Sequence, residues 1–448
     1  MTLIEEALAK ATDTKACVIG PGAVEDSAKM FGELFPEARR VVVVDDPRTR
    51  SVAGRRVCAL LQDAGRAVEE YVINPDGSDF HATYEKVEEV RNAIAAADAI
   101  PVAVGSGVVN DLVKRSCGEL GLQYMVMGTA ASMDGYTAYG AAITKDGMKQ
   151  TLECKAPLGC IVDSAIAAAA PKEMTASGYA DLIAKIPAGA DWILADLVGS
   201  EAIHPLAWKL VQGPLRDAIS NPVGCASGDE REVRKLCEGL VMSAFAMQVM
   251  ASSRPASGTE HQVSHYWDME DLAFNGKPVS HGFKVGIGTL VSTAALEFLL
   301  EQDVAAVDVD AKVAAWWPSY DAVQAKFPEI FPGRPAHVQR ASLEYVKKFP
   351  ARDELRRELT LIRDNWGDIS AKIRAQLMPF AELKENLRKA GAPTEPEEIG
   401  VTRARFRETL QGVPYMRARY FGVDLIQRLG FENALLERLF GTGGIWEV

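Results

Sequence analysis

Short β-branched runs and amphipathic segments alternate along the first third of the chain. The spacing of apolar residues predicts helices at 25–35, 50–64 and 82–97. Runs suited to strands lie at 16–20, 40–46, 67–74, 99–105 and 123–127. This alternation is typical of a parallel sheet with crossover helices. We therefore predict that residues 1–165 form an α/β domain with a parallel sheet.

The pattern changes after Asp163. Ala-rich, Leu-rich and charged segments with helical periodicity then run to the C-terminus, interrupted by prolines. We therefore predict that residues 166–448 form a second, all-helical domain. Just before this change, segments 141–146 and 148–153 flank Lys145-Asp146-Gly147 and predict a hairpin, because Asp-Gly readily takes the positive φ values of tight turns.

Composition narrows the functional classes. The chain has 448 residues, 48% of them hydrophobic, which is enough for large cores. Its net charge of −12 disfavours general binding to nucleic acid or anionic membranes. The seven cysteines are scattered without a CxxC pair, so we expect reduced core residues. Since the N-terminus lacks a signal-peptide pattern and no stretch approaches about 20 apolar residues, we expect a cytoplasmic protein without membrane insertion.

Three of the six histidines fall within residues 257–282. His261 and His265 are four residues apart and hence on one face of a helix, and His281 can fold back against that face. Neutral imidazole is the commonest protein ligand of catalytic transition metals. The alternative is structural, in which the histidines cap a helix and fill a polar loop.

A carboxylate that could complete a metal site lies in the segment SGYADLIAK. Asp181 and Lys185 are at i and i+4, the spacing of a surface ion pair. The apolar neighbours of Asp181 instead predict a buried helix, where a carboxylate needs a cationic partner. We therefore predict a metal tripod of Asp181, His261 and His281, with His265 one turn away in the substrate space.

Two predicted strand ends carry residues suited to a nucleotide, because ligands of open α/β sheets lie beyond the carboxyl ends of the strands. After the second strand, Asp45 and Asp46 can bind ribose hydroxyls, although either can also start a turn before Pro47. After the fourth strand, glycines permit close approach to a pyrophosphate and the next helix offers its N-terminus. These residues are Gly105, Ser106, Gly107, Val108 and Val109.

The loop after the fifth predicted strand is the third candidate. Thr129, Ser132 and Asp134 cluster there with little apolar material between them. Such a composition favours a ligand-facing loop over a core element.

These motifs together resemble one family. The segments GSG, TAASMDG, SGYADLIAK, SGTEHQVSHYWDM and SHGFKVGIGT, with LRKAGAPTEPEEIGVTRARFRETL near the end, are similar to bacterial sn-glycerol-1-phosphate dehydrogenases. That family belongs to the superfamily of iron-containing alcohol dehydrogenases and dehydroquinate synthases. The resemblance covers essentially the whole chain.

The resemblance implies a Rossmann-like domain, a helical domain of the dehydroquinate synthase type and an active site in the cleft between them. It implies zinc or nickel, with iron as an alternative, on Asp181, His261 and His281, and substrate contacts from Asp134, Asp181 and His265. NAD or NADP would contact Asp46, the Gly105 to Val109 segment, and Thr129 to Ser132. The implied reaction interconverts sn-glycerol 1-phosphate and dihydroxyacetone phosphate in a homodimer or higher homo-oligomer.

Two positions depart from the family pattern. Ala138 stands where a serine contacts the dinucleotide, with Thr137 adjacent as a substitute, and Gly128 stands where a proline is expected. Lys149, Lys185 and Lys284 are candidates for neutralising a substrate phosphate, against the alternative of solvated surface lysines. Three other functions stay open: a dehydrogenase of another polyol or sugar phosphate, a dehydroquinate-synthase-like lyase, and a catalytically silent nucleotide-binding module.

Overall fold

The computed structural model describes residues 2–145 and 148–448, and for residues 148 and 149 it describes the backbone alone. These residues divide into two compact units built from alternating stretches. Unit 1 comprises Met1–Leu182, Pro205–Ala256 and Lys389–Ala392, and unit 2 comprises Ile183–His204, Ser257–Arg388 and Pro393–Val448. The boundary at residue 165 stays a prediction.

Unit 1 contains a six-stranded parallel sheet. The described part of the chain contains ten strands, six of them in this sheet. In chain order they are β1 (Ala16–Gly20), β2 (Arg40–Asp45), β3 (Ala67–Val72), β4 (Ile100–Gly105), β5 (Met125–Gly128), β6 (Ala141–Lys145), β7 (Met148–Leu152), β8 (Gly159–Asp163), β9 (Ala273–Phe274) and β10 (Lys277–Pro278). The sheet order is β1-β8-β5-β4-β2-β3, and all its pairs are parallel. The predicted α/β fold with a parallel sheet is confirmed.

The helices are as follows: α1 (Leu3–Lys10), α2 (Ser27–Leu34), α3 (Pro47–Thr49), α4 (Arg55–Asp63), α5 (Tyr84–Ala97), α6 (Gly107–Leu120), α7 (Ser164–Ala168), α8 (Lys172–Ile183), α9 (Lys185–Leu197), α10 (Pro205–Ala218), α11 (Pro222–Ser227), α12 (Glu230–Met250), α13 (Thr259–Asp268), α14 (His281–Glu301), α15 (Val309–Ala315), α16 (Tyr320–Gln324), α17 (Phe327–Ile330), α18 (Pro335–Glu344), α19 (Arg352–Asp364), α20 (Trp366–Gln376), α21 (Phe380–Lys389), α22 (Arg403–Gly412), α23 (Gly422–Arg428) and α24 (Glu432–Phe440). A π-helical turn, Arg50–Gly54, joins α3 to α4.

The central strands are buried because their side chains are apolar on both faces. In β2, the four valines 41–44 are fully buried, and two of them pack in one core with Phe31 and Leu61 from the flanking helices. Burying a valine, leucine or phenylalanine side chain contributes about 1.5–3 kcal/mol, so this layer holds the strand ends in fixed positions.

Strand β8 was missing from the predicted set. Its sequence GCIVD is a short apolar run, and it lies between β1 and β5 with every residue buried. Cys160 of β8 aligns with Cys17 of β1 and with Val126 of β5. All seven cysteines are free thiols, as expected from their spacing.

The hairpin predicted before the helical half is present as the antiparallel pair β6–β7. Its predicted turn, at residues 145–147, extends outside the described residues. A second hairpin, β9–β10, interrupts the predicted all-helical region. Asn275 and Gly276 take positive φ values of 52° and 74° at its tip, as an Asn-Gly hairpin turn requires. This hairpin lies between His261 and His281.

Helix α14 is the central apolar helix of unit 2. It has 21 residues and is long and apolar enough to cross a bilayer by length and composition, so the expectation that no stretch approaches that length was wrong. In the structure, 89% of its apolar 18-residue stretch is buried inside the protein. It is therefore a core helix, and His281 is its first residue.

Candidate active site

The structure brings together the three residues predicted to form a tripod. One carboxylate oxygen of Asp181 and one ring nitrogen each of His261 and His281 lie within 4.8 Å of one another. Asp181 and His261 are buried and His281 is half-buried. The ring centroids of His261 and His281 are 5.4 Å apart. Two imidazoles and a carboxylate are a donor set suited to zinc, nickel or iron.

His265 lies one turn along α13, with its ring centroid 6.4 Å from that of His261. Its Nδ1 is 3.4 Å from Oδ2 of Asp268, whose other oxygen accepts a hydrogen bond from Lys284. Although 43% of the side chain is exposed, desolvation of the imidazole lowers the pKa of His265 to about 4, against the opposing effect of Asp268. His265 is therefore neutral near pH 7, so one of its ring nitrogens can accept a hydrogen bond.

Lys284 forms an ion pair with Asp268. Both Lys284 and Asp268 are only 5% exposed. Because the Asp268 carboxylate already neutralises the ammonium group, Lys284 is poorly suited to receive a substrate phosphate. Lys185 is also buried, so it is not a solvated surface lysine. The side chain of Lys149 lies outside the described residues.

The predicted strand–loop–helix arrangement is present after β4. Gly105 ends the strand, Ser106 is the N-cap of α6, and Gly107 begins the helix. A Cβ at Gly105 would lie 2.6 Å from Cβ of Val109, and one at Gly107 would lie 3.1 Å from Cε of Met133. Both glycines therefore permit close packing of the helix start. Val108 lies in the same first turn, whose N–H groups can hold an anion.

The loop after β5 is tied to the end of β4. Thr129 donates its backbone N–H to the carbonyl oxygen of Gly105, at 3.1 Å. Tyr136 donates its hydroxyl to Ala130, at 3.0 Å, and to Gly105, at 3.3 Å. A Cβ at Gly128 would lie 2.8 Å from the Tyr136 ring. The aromatic ring thus occupies the space of a side chain at 128, which explains why glycine stands there.

Helix α8 orders the second half of the same loop. The Asp181 carboxylate accepts the backbone N–H of Asp134 at 3.0 Å, and the Asp134 carboxylate accepts the Ser243 hydroxyl at 2.8 Å. Ser177 donates its hydroxyl to the carbonyl oxygen of Ser132, at 3.2 Å. The proposed metal ligand Asp181 and the proposed substrate residue Asp134 are therefore in direct contact.

Lys114 is a residue that the sequence reasoning missed. Its side chain is fully buried, and its ammonium group donates to the carbonyl oxygens of Gly135, Ala138 and Gly140, at 2.8, 3.0 and 3.2 Å. A buried ammonium group is costly unless it is fully hydrogen-bonded. Lys114 thus fixes the backbone that follows Asp134. The only sign of this role in the sequence was a lysine in the third turn of the helix that follows GSG.

Thr137 and Ala138 both point into the protein. The side chain of Thr137 is fully buried and its hydroxyl donates to the carbonyl oxygen of Val241, at 3.3 Å. Ala138 packs in a small apolar cluster with Ala244, Met247 and Ala256. That Thr137 takes the place of the missing serine stays a prediction.

The two aspartates at the end of β2, Asp45 and Asp46, have different surroundings. Oδ1 of Asp46 accepts the backbone N–H groups of Arg48 and Thr49, at 2.7 and 3.0 Å, so Asp46 caps the turn that contains Pro47. Asp45 is fully buried, and neither of its carboxylate oxygens has a hydrogen-bond partner in the described part of the chain. Desolvation, together with nearby Glu70, raises the pKa of Asp45 to about 8.

The fold and the donor set together define a class: an α/β protein with a six-stranded parallel sheet and an Asp-His-His cluster that could hold a metal ion. The family model for iron-containing alcohol dehydrogenases matches residues 18–171. Solved structures agree on the fold. They include a probable glycerol dehydrogenase from Sinorhizobium meliloti (TM-score 0.57, 14% identity, 95% of this chain and 98% of that one) and glycerol dehydrogenase from Schizosaccharomyces pombe (TM-score 0.58, 15% identity, 98% and 93%).

Curated relatives narrow the class further. A glycerol-1-phosphate dehydrogenase [NAD(P)+] from Methanothermobacter thermautotrophicus is 33% identical over 272 residues, 61% of this chain and 75% of the relative. One from Bacillus licheniformis is 25% identical over 427 residues, covering 95% and 92%. One from Geobacillus thermodenitrificans is 34% identical over 260 residues, and that match spans 63% of the relative, just under two thirds. The chain belongs to the glycerol-1-phosphate dehydrogenase family.

Proposed function

We propose that this protein is a metal-dependent oxidoreductase that interconverts sn-glycerol 1-phosphate and dihydroxyacetone phosphate, with NAD or NADP as hydride carrier. The observation that carries the proposal is the convergence of Asp181, His261 and His281 in a chain whose relatives bear that enzyme name. Dehydroquinate-synthase-like chemistry is disfavoured because the superfamily pattern for it has glutamate in place of Asp181.

The donor set fits a divalent ion. Its three donor atoms lie within 4.8 Å of one another, so small side-chain movements would let one ion reach all three at the usual metal–ligand distance of about 2.1 Å. We assign zinc or nickel, with iron as an alternative, because each accepts two imidazoles and a carboxylate. When bound, the ion supplies Lewis acidity that polarises a substrate carbonyl or acidifies a substrate hydroxyl.

The sheet fits a dinucleotide. We assign its pyrophosphate to Gly105–Val109, where helix α6 begins after a strand end, and its neighbouring contacts to Thr129 and Ser132. Asp46 is the proposed ribose contact. Its Oδ1 is already engaged in capping, which leaves Oδ2 for a ligand hydroxyl. The bound nicotinamide supplies the hydride-transfer chemistry.

The protein residues position the substrate and handle its proton. Asp134 and Asp181, joined by the 3.0 Å hydrogen bond, are proposed to orient the hydroxyl groups of the polyol. His265, neutral at pH 7 and oriented by Asp268, is proposed to bond a substrate hydroxyl and accept or return its proton. We further propose a homodimer or higher homo-oligomer and a cytoplasmic location.

The experiment that tests the function combines metal removal with a substrate panel. The chelator-treated protein should lose dihydroxyacetone phosphate reduction and regain it on addition of Zn²⁺ or Ni²⁺. Phosphorylated C3 to C5 polyols and ketoses, assayed with NADH and NADPH, should show a preference for the C3 pair. Unchanged activity in the stripped protein would refute the metal assignment, and a preference for a longer substrate would refute the substrate assignment.

A further inference from the structure

The residue before the proposed ligand His261 is a buried carboxylate with no assigned role. Glu260 is fully buried in the first turn of α13. Its Oε1 is 2.8 Å from Nδ1 of His261 and accepts the backbone N–H of Gly258 at 2.6 Å. Because an ionised carboxylate only accepts hydrogen bonds, the proton of the imidazole is placed on Nδ1.

We propose that Glu260 is a positioning residue that fixes the tautomer and ring orientation of His261 and so prepares its Nε2 to bind the metal. This inference rests on the proposed metal site and adds a residue outside the ligand set. A histidine with its proton on Nδ1 has its lone pair on Nε2. Carboxylate partners of this kind orient ligating histidines and make them stronger electron-pair donors.

The second carboxylate oxygen supports the same role. Oε2 of Glu260 is buried and has no hydrogen-bond partner among the described residues. A buried carboxylate with an unsatisfied oxygen is costly unless positive charge lies near. A metal ion held by His261 would supply that charge, which gives a reason to keep an acid at this position.

The backbone around Glu260 holds it in place. A Cβ at Gly258 would lie 2.6 Å from Oδ2 of Asp191, 2.8 Å from Oε2 of Glu260 and 2.9 Å from Cα of Ala188. Asp191 in turn accepts the backbone N–H and the hydroxyl of Thr259, at 2.7 and 2.8 Å. The two residues that precede Glu260 are therefore held by close packing and by hydrogen bonds.

A purely structural role, capping the start of α13, is the competing explanation. The variant Glu260→Gln separates the two roles, since an amide oxygen still accepts the Gly258 N–H but carries no negative charge. Glu260→Ala removes both interactions. Ser264→Ala is the matched control. It lies in the same helix and deletes a buried hydroxyl that has no hydrogen-bond partner among the described residues.

The test measures the dissociation constant for Zn²⁺ by chelator competition in the wild type and these variants. We expect about 10- to 100-fold weaker binding in Glu260→Ala, a smaller but clear loss in Glu260→Gln, and no change in Ser264→Ala. Zn²⁺ binding within twofold of wild type in Glu260→Gln and Glu260→Ala would overturn the inference. If Glu260→Ala does not fold, the Glu260→Gln result decides.

A second readout works without metal. In the metal-free protein labelled with ¹⁵N-histidine, the His261 resonance, assigned by its loss in His261→Ala, should report the Nδ1–H tautomer, and Glu260→Ala should shift it towards a mixture. The Nε2–H tautomer in the wild type would overturn the inference. Failure of the wild type to bind one Zn²⁺ would instead overturn the proposed function, so the two failures are distinguishable.

Discussion

Gly288 in α14 lies directly against the backbone of Glu260 in α13. A Cβ at position 288 would collide with the carbonyl oxygen of Glu260 and lie 3.0 Å from its Cα. Since α13 carries His261 and α14 begins at His281, this close approach holds together the two helices that carry the imidazoles. The absence of a side chain at position 288 thus helps to define the proposed metal site.

Gly288→Ala should therefore weaken metal binding. Forcing the two helices apart should cost about 1–3 kcal/mol of stability and raise the dissociation constant for Zn²⁺ at least tenfold. Chelator competition and thermal unfolding measure the two effects. Gly367→Ala in α20 is the control, because a Cβ there meets no atom within 4 Å in the described structure. Equal Zn²⁺ affinity in both variants would contradict this account.

His265→Asn should separate metal binding from catalysis. We expect kcat to fall by about 10²–10⁴, the usual contribution of a general acid–base group, while metal content stays at one ion per chain. His261→Asn should lose the ion. Metal analysis with steady-state kinetics checks both variants, and an empty metal site in His265→Asn would show that the division of roles is wrong.

Lys114→Met should loosen the loop that follows Asp134. The substitution keeps the apolar stem but leaves the carbonyl oxygens of Gly135, Ala138 and Gly140 without their cation, at a cost of about 1–3 kcal/mol. The KM values for dinucleotide and substrate should both rise, because Thr129, Ser132 and Asp134 lie in the same loop. The exposed Lys326→Met is the control, and unchanged KM values in Lys114→Met would argue against the positioning role.

Asp45 makes stability depend on pH. Its pKa is about 8 in the folded protein against an ordinary value of 3.8, so the folded state binds more protons between those values. Its contribution is fully present below pH 3.8 and is lost as pH rises through 8. Between pH 5 and 9 the Tm of the wild type should therefore fall more steeply than that of Asp45→Asn. Parallel Tm curves would refute the raised pKa.

Ala138→Ser tests the departure from the family pattern. Position 138 packs against Ala244, Met247 and Ala256, so a hydroxyl there enters an apolar cluster. We expect a loss of about 1 kcal/mol in stability and no decrease in the KM for NADH. A clearly lower KM in the serine variant would show that the serine reaches the dinucleotide after all.

The sequence by itself determined the parts of this protein that depend on local pattern. Alternating apolar runs and helical periodicity predicted five of the six sheet strands and the helical half, because side-chain spacing reflects the period of each element. Residue type and position near strand ends identified Gly105 and Asp134 as candidates. Residue type and helical spacing identified Asp181 and the histidines. The combined motifs indicated the family that the comparisons then supported.

Only the tertiary structure decided which side chains meet. It placed β8 between β1 and β5 and surrounded Lys114 with three carbonyl oxygens. It also turned Thr137 inward, made Asp46 a helix cap and buried Asp45. It also paired Glu260 with His261 and Asp268 with His265. Neighbouring acids were visible in the sequence, but whether a carboxylate faces solvent or an imidazole depends on packing between distant segments, which no local period encodes.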